Sequence, residues 1–142
     1  MLKNILFIFL LLLTACCHAQ VKTLKEYYPT GNIKSITHEG IFNGCNMKLG
    51  TDSIFYENGR LMTTIQYNNR KDRKNAACHA TWTIESTTHY YINGKIKSRS
   101  QQKYVYEGEP CDCGTWMRYD EKGRLVKKII KAACYNQTPC TG

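Results

Sequence analysis

The chain has 142 residues with 20 Lys and Arg against 11 Asp and Glu, a net charge of +9, and eight cysteines. That length holds one domain and excludes a multidomain enzyme of ordinary size. The positive balance favours anionic partners such as lipid headgroups, cell-wall polymers or acidic proteins, and speaks to solubility and association rather than to fold.

Residues 1–20, MLKNILFIFLLLLTACCHAQ, set Lys3 before an apolar run from Ile5 to Leu13, followed by small residues. This is the pattern of an export signal, 1–19, and its apolar part is shorter than the ~20 residues of a membrane-spanning helix. Leu13-Thr14-Ala15-Cys16 fits a bacterial lipobox, which would end the signal at residue 15 and make Cys16 the lipidated mature N-terminus. Ala19 followed by Gln20 fits an ordinary signal peptidase instead, and leaves an even number of cysteines. The lipobox is preferred because all four of its positions fit. The expected product is an envelope protein, in the periplasm or lipid-anchored at the outer membrane, or a secreted one, with residues 20–142 as a single domain.

Four segments of that domain repeat one pattern: EYYPTGNIKS, IFYENGRLMT, HYYINGKIKS and MRYDEKGRLVK, near residues 26–37, 54–67, 89–100 and 117–130. Gly31, Gly59, Gly94 and Gly123 each have an aromatic four residues earlier (Tyr27, Phe55, Tyr90, Tyr119) and Ile or Leu two residues later (Ile33, Leu61, Ile96, Leu125). A fixed pattern at intervals of about 30 residues marks a repeat architecture. The turn common to all four is a type I turn closed by a left-handed glycine, a three-residue hairpin loop with a bulge. Counting outward from it pairs each aromatic with its Ile or Leu across the hairpin, worth roughly 0.2–1 kcal/mol per pair. The next pairs, Tyr28/Asn32, Tyr56/Arg60, Tyr91/Lys95 and Asp120/Arg124, fall on the opposite face and set tyrosines beside cations. Single hairpins are marginal in water, so they must stack. The expected fold is all-β, an elongated antiparallel meander of hairpins in one sheet.

Between repeats, Gly40, Gly44 and Gly50 are expected to break the segment after Ile36 into short strands, with Cys45 in a connection. Asn68 to Cys78, with Arg70, Lys71, Arg73 and Lys74, reads as an enlarged solvated loop. Residues 80–94, ATWTIESTTHYYING, are β-branched and aromatic, a strand signal. Cys111 to Gly114 reads as a turn before a strand at Thr115 to Tyr119.

Cys45, Cys78, Cys111, Cys113, Cys134 and Cys140 are read as disulfides, because an exported meander with a small core needs staples. Cys45 is expected to pair with Cys78, and Cys111 and Cys113 with the tail cysteines. A zinc site built from Cys111, Cys113, Cys134 and Cys140 is the weaker alternative, since the spacing lacks paired CxxC knuckles. Cys78 and His79 make a poor nucleophile and base, because neighbours in a strand point to opposite faces. His38, His79 and His89 are scattered, no GxSxG elbow is present, and Asp120 with Glu121 is explained by the turn. No catalytic residue, cofactor or resident metal is expected, and nucleic acid is not an expected partner.

YYPTGNI, FYENGRL, YYINGKI and RYDEKGRL resemble the MORN repeat variant of the bacterial YwqK-like antitoxin family, over most of the chain from about Glu26 to Ile130. The resemblance implies a sheet of repeated hairpins without an enzymatic site, and in some members an antitoxin or immunity role against a cognate toxin. The sequence reading is therefore a non-enzymatic binding or scaffold protein of the bacterial envelope. Tyr56, Arg60, Tyr91, Lys95 and Arg124 are its candidate contacts to a protein or an anionic envelope component.

Overall fold

A computed structural model of the chain describes residues 21–71 and 78–131, apart from the side chain of His79. The export signal with Cys16, the middle of the basic segment at 72–77 and the tail with Cys134 and Cys140 lie outside the described residues. The strands are β1 (Lys22–Tyr27), β2 (Ile33–Phe42), β3 (Cys45–Lys48), β4 (Gly50–Phe55), β5 (Leu61–Lys71), β6 (Thr81–Tyr90), β7 (Ile96–Val105), β8 (Cys111–Tyr119) and β9 (Leu125–Lys131). They form one open antiparallel sheet in the order β1-β2-β4-β5-β6-β7-β8-β9, with β3 paired to β2. The expected all-β meander is the fold observed, and no α-helix occurs among the described residues.

The four turns follow the expected chemistry. Gly31, Gly59, Gly94 and Gly123 have φ of 86°, 80°, 85° and 86°, the left-handed region that costs a side-chain-bearing residue about 1–2 kcal/mol. Each glycine N–H donates to the carbonyl three residues earlier, as in Gly59 N to Tyr56 O at 2.9 Å. Tyr27/Ile33, Phe55/Leu61, Tyr90/Ile96 and Tyr119/Leu125 are cross-strand partners.

Immediately beyond those pairs every hairpin carries a second irregularity, which the sequence reading lacks. Tyr27 faces Ile33 but Glu26 faces Ser35, so Lys34 is an extra residue, and Met62, Lys97 and Val126 occupy the same place in the other three hairpins. A bulge of this kind reverses which side chains share a face. Past it, one row runs across eight strands: Glu26, Ser35, Ile54, Thr63, His89, Ser98, Arg118 and Lys127. It lies on the face opposite the aromatic row at the turns, because Glu26 and Tyr27, like Arg118 and Tyr119, are neighbours in a strand.

The end of the sheet away from these turns is closed by the β2–β3 hairpin. Asn43 and Gly44, with φ of 54° and 76°, form a two-residue type I′ turn, and Gly50 at 69° breaks β3 from β4. The hairpin tip reaches past β5 to the start of β6. Asn69 Nδ2 donates to Lys48 O at 2.8 Å, Asn43 Nδ2 donates to Thr81 Oγ1 at 3.2 Å, and a disulfide joins Cys45 to Cys78. Burial concentrates here, on Cys45, Met47, Thr81, Thr83 and Ile84. A single layer has no second layer to cover it, which is why the core is small and largely polar.

Five local expectations are corrected. Gly40 does not end a strand but lies buried inside β2 opposite Met47, where pairing with β3 outweighs the glycine penalty of about 1 kcal/mol. Cys45 opens β3 rather than sitting in a connection. Asn68 to Lys71 extend β5 and pair with Ile84 to Thr81, because the long β6 offers them a partner. Cys111 to Gly114 belong to β8: Gly114, at φ 68°, makes a bulge in which Gly114, Thr115 and Trp116 lie opposite Ser100 alone. Cys78 and His79 sit in a short 3-10 turn rather than in a strand.

Candidate functional site

The turn edge is built as a ladder between repeats. Tyr28 Oη donates to Phe55 O at 2.7 Å, Tyr56 Oη to Tyr90 O at 2.8 Å, and Tyr91 Oη to Tyr119 O at 2.8 Å. Each donor is the first residue of its turn, and each acceptor immediately precedes the next turn. A tyrosine at this position therefore welds one hairpin to its successor. The fourth repeat has Asp120 instead, and no further hairpin follows it among the described residues. Its carboxylate closes its own turn: Oδ1 accepts from Lys122 N and Arg124 N, both at 2.9 Å, and Oδ2 from Arg124 Nε at 2.7 Å. The Arg124 backbone N–H, then the guanidinium, hold Asp120 below its ordinary value.

Side chains one step along complete the weld. Arg60 Nη1 donates to Ile92 O at 2.8 Å, Lys95 Nζ to Lys122 O at 3.0 Å, Asn32 Nδ2 to Glu57 O at 2.7 Å and Asn93 Nδ2 to Glu121 O at 3.0 Å. Tyr56, Arg60, Tyr91, Lys95 and Arg124 thus stand along one edge, as the repeat alignment places them. Four of them, Tyr56, Arg60, Tyr91 and Lys95, each give a hydrogen bond to the next repeat. Arg60, Lys95 and Arg124 are exposed and form a cationic ridge, whereas Tyr56 and Tyr91 are half-buried with their hydroxyls occupied.

A polar cluster that sequence reasoning missed lies deeper in the sheet. Asp52, 3% exposed, accepts from His38 N at 2.7 Å through Oδ1 and from Tyr67 Oη at 3.3 Å through Oδ2. His38 Nδ1 is 3.6 Å from Asp52 Oδ1. Burial, followed by the charges of Asp52 and Glu85, pushes the Tyr67 phenol well above its ordinary value, and burial with Glu85 raises Tyr104. These residues are far apart in sequence, and only the strand register brings them together.

On the same face as the long row, a groove of about 340 Å³ crosses β6 to β9, lined by His89, Ser98, Trp116, Arg118, Lys127 and Ile129 among others. Trp116 is fixed by its indole N–H, which donates to Gln101 O and Cys113 O, both at 3.1 Å. Lys131 Nζ lies over its ring at 5.0 Å and 3.4 Å from Asp112 Oδ2. His89 Nδ1 is 2.9 Å from Thr63 Oγ1.

Of the expected disulfides, Cys45 to Cys78 is present, and Cys111 and Cys113 are also disulfide-bonded. Among the described residues no group of three His, Cys, Asp or Glu side chains could hold a metal, and no helix is long and apolar enough to cross a membrane.

Tyrosine welds, glycine-closed turns and a two-strand period together define the structural repeat. Residues 20–38 and 50–69 match the MORN repeat variant. The matched segments are the first two hairpins of the sheet, and the third and fourth share their turn, their cross-strand pair and their bulge. Neither a curated protein nor a solved structure matches the chain.

Proposed function

We propose that the chain is a non-enzymatic β-repeat binding or scaffold protein exported to the bacterial cell envelope and held there by lipid on Cys16. The observation that carries the binding role is the pair of exposed cations Arg60 and Lys95, with Arg124 beside them in an ion pair with Asp120, on a turn edge that hydrogen bonds make rigid. Preorganised cations on a rigid edge favour a protein or envelope component that presents anions. The MORN repeat variant is generally a non-enzymatic module, which agrees with this reading. Export is supported by the lipobox-like Leu13-Thr14-Ala15-Cys16 and by the disulfide chemistry, which persists in oxidising compartments.

The test is pull-down from envelope extracts with Arg60→Ala/Lys95→Ala beside the parent chain, together with intact-mass measurement of the native N-terminus. Loss of a specific partner and a diacylglyceryl mass on Cys16 are expected. Unchanged capture by a folded double variant would refute the ridge, and a start at Gln20 would refute the anchor. An antitoxin or immunity role is the alternative reading, suggested by the repeat resemblance; a toxin gene found next to this one would favour it. Zinc held by the C-terminal cysteines would require Cys111 and Cys113 in the reduced form, since a disulfide sulfur is not a thiolate ligand.

A further inference from the structure

The two outer strands of the sheet differ in a way that identifies a partner. β1 and β9 each leave one side unpaired by any strand among the described residues. An unpaired edge is a template for another strand, and proteins guard it with charge. On β1 most of the charge is paired: Lys22 meets Glu39 and Glu26 meets Lys34, both at 3.5 Å, which leaves Lys25. β9, Leu-Val-Lys-Lys-Ile-Ile-Lys, has three lysines and no acid. Lys131 is paired with Asp112, while among the described residues neither Lys127 nor Lys128 lies within ion-pair distance of a carboxylate, and nor does Arg118 beside them on β8. The apolar residues of β9 are also exposed: Leu125 53%, Val126 62%, Ile129 37% and Ile130 75%. Exposed apolar side chains on both sides of unbalanced cations mark an interaction site.

We infer that β9 is a docking edge that accepts an extended acidic peptide segment of a partner protein as a tenth strand. Three arguments select this occupant. First, a second copy joined through β9 would bring together two strands that each carry three lysines and no acid, and β1, with Lys22 and Lys25 against Glu26 alone, is also net positive; like charges across a strand pair destabilise it. Second, Lys127 and Lys128 are adjacent and so project to opposite faces. A complementary strand therefore needs two neighbouring acids, flanked by apolar residues to meet Val126 and Ile129 to Ile130. Third, the groove already described continues this edge. Arg118, Lys127, Ser98 and His89 line its polar part and Trp116 and Ile129 its apolar part, with no acid among the lining residues. Side chains of an added strand on that face would enter it. Main-chain hydrogen bonds would supply affinity and the alternate side chains specificity. The inference rests on the binding reading above but not on the turn ridge.

The probe is a blocked synthetic peptide with two adjacent glutamates between pairs of valines, titrated by fluorescence anisotropy against the full, disulfide-bonded chain. Binding weakened at least about ten-fold by Lys127→Glu/Lys128→Glu is expected, with a milder loss for Lys127→Gln/Lys128→Gln. Unchanged binding by Arg60→Ala/Lys95→Ala separates this edge from the turn ridge. Two further peptides, N-methylated on either set of alternate residues, should differ, the one blocked on its pairing edge failing to bind. Equal binding of a peptide with lysines in place of the glutamates would overturn the inference. So would indifference to the β9 charge reversal, or equal tolerance of both N-methylated peptides. Binding to phosphatidylglycerol vesicles with none to the peptide would also overturn it, and would point to a membrane surface.

Discussion

Removing the tyrosine hydroxyls that weld repeat to repeat isolates their contribution, because Tyr→Phe keeps the ring and deletes only the donor. Tyr28, Tyr56 and Tyr91 each give one bond of 2.7–2.8 Å to a main-chain carbonyl in the next repeat. A neutral hydrogen bond of this kind contributes about 1 kcal/mol net. Successive welds are two strands apart, about 10 Å, so their effects add and the triple variant should lose about 3 kcal/mol. That is a large part of a total stability of about 5–15 kcal/mol. Tyr27→Phe is the control, since Tyr27 is 57% exposed and its hydroxyl has no hydrogen-bond partner among the described residues. Urea unfolding with the disulfides intact, followed by tryptophan fluorescence, gives the midpoints and slopes. If the triple variant unfolds within about 0.5 kcal/mol of the parent, or no further from it than Tyr27→Phe, the ladder does not hold the repeats together.

Three further outcomes follow from the same geometry. Reducing the Cys45–Cys78 bond, whose cysteines are 33 residues apart, should cost about 3–4 kcal/mol by the loop-entropy relation, measured as a shift in unfolding midpoint for Cys45→Ser/Cys78→Ser. Tyr67 and Tyr104 have raised values in the fold, so the stability they contribute is intact below the ordinary 10.0 and is lost as pH climbs through it towards the folded values; Tyr67→Phe should flatten this alkaline limb in a stability-versus-pH series. Asp120 has a lowered value, so its contribution is present above 3.8 and lost as pH falls below it; an NMR titration should place the Asp120 carboxyl below 3.8 in the parent and return it towards 3.8 in Arg124→Ala.

The sequence by itself determined the repeat, its turns and its cross-strand pairs, because these are local. The left-handed residue that closes each of these turns is glycine, which takes that conformation at least cost, and an aromatic four positions before it has to meet an aliphatic two positions after it across so short a loop. The sequence did not determine the cysteine pairing: Cys45 with Cys78 is an expectation from connections meeting at one end of the sheet, and the bond instead joins the first residue of β3 to the short turn before β6. The tertiary structure alone decided what the faces are. Lys34, Met62, Lys97 and Val126 carry no distinctive residue type, so the bulges that reverse the alternation leave no mark in the sequence, and without them the row from Glu26 to Lys127 cannot be assembled. Tyr56, Arg60, Tyr91 and Lys95 were legible as neighbours in each repeat, but their hydrogen bonds run to the next repeat, some thirty residues away. Asp52 beside His38 and Tyr67, like the groove from His89 to Ile129, depends on register summed across several strands. Which outer strand is left with unbalanced charge is likewise a property of the sheet order, since only pairing shows that Lys22 meets Glu39 while Lys127 and Lys128 meet no carboxylate among the described residues.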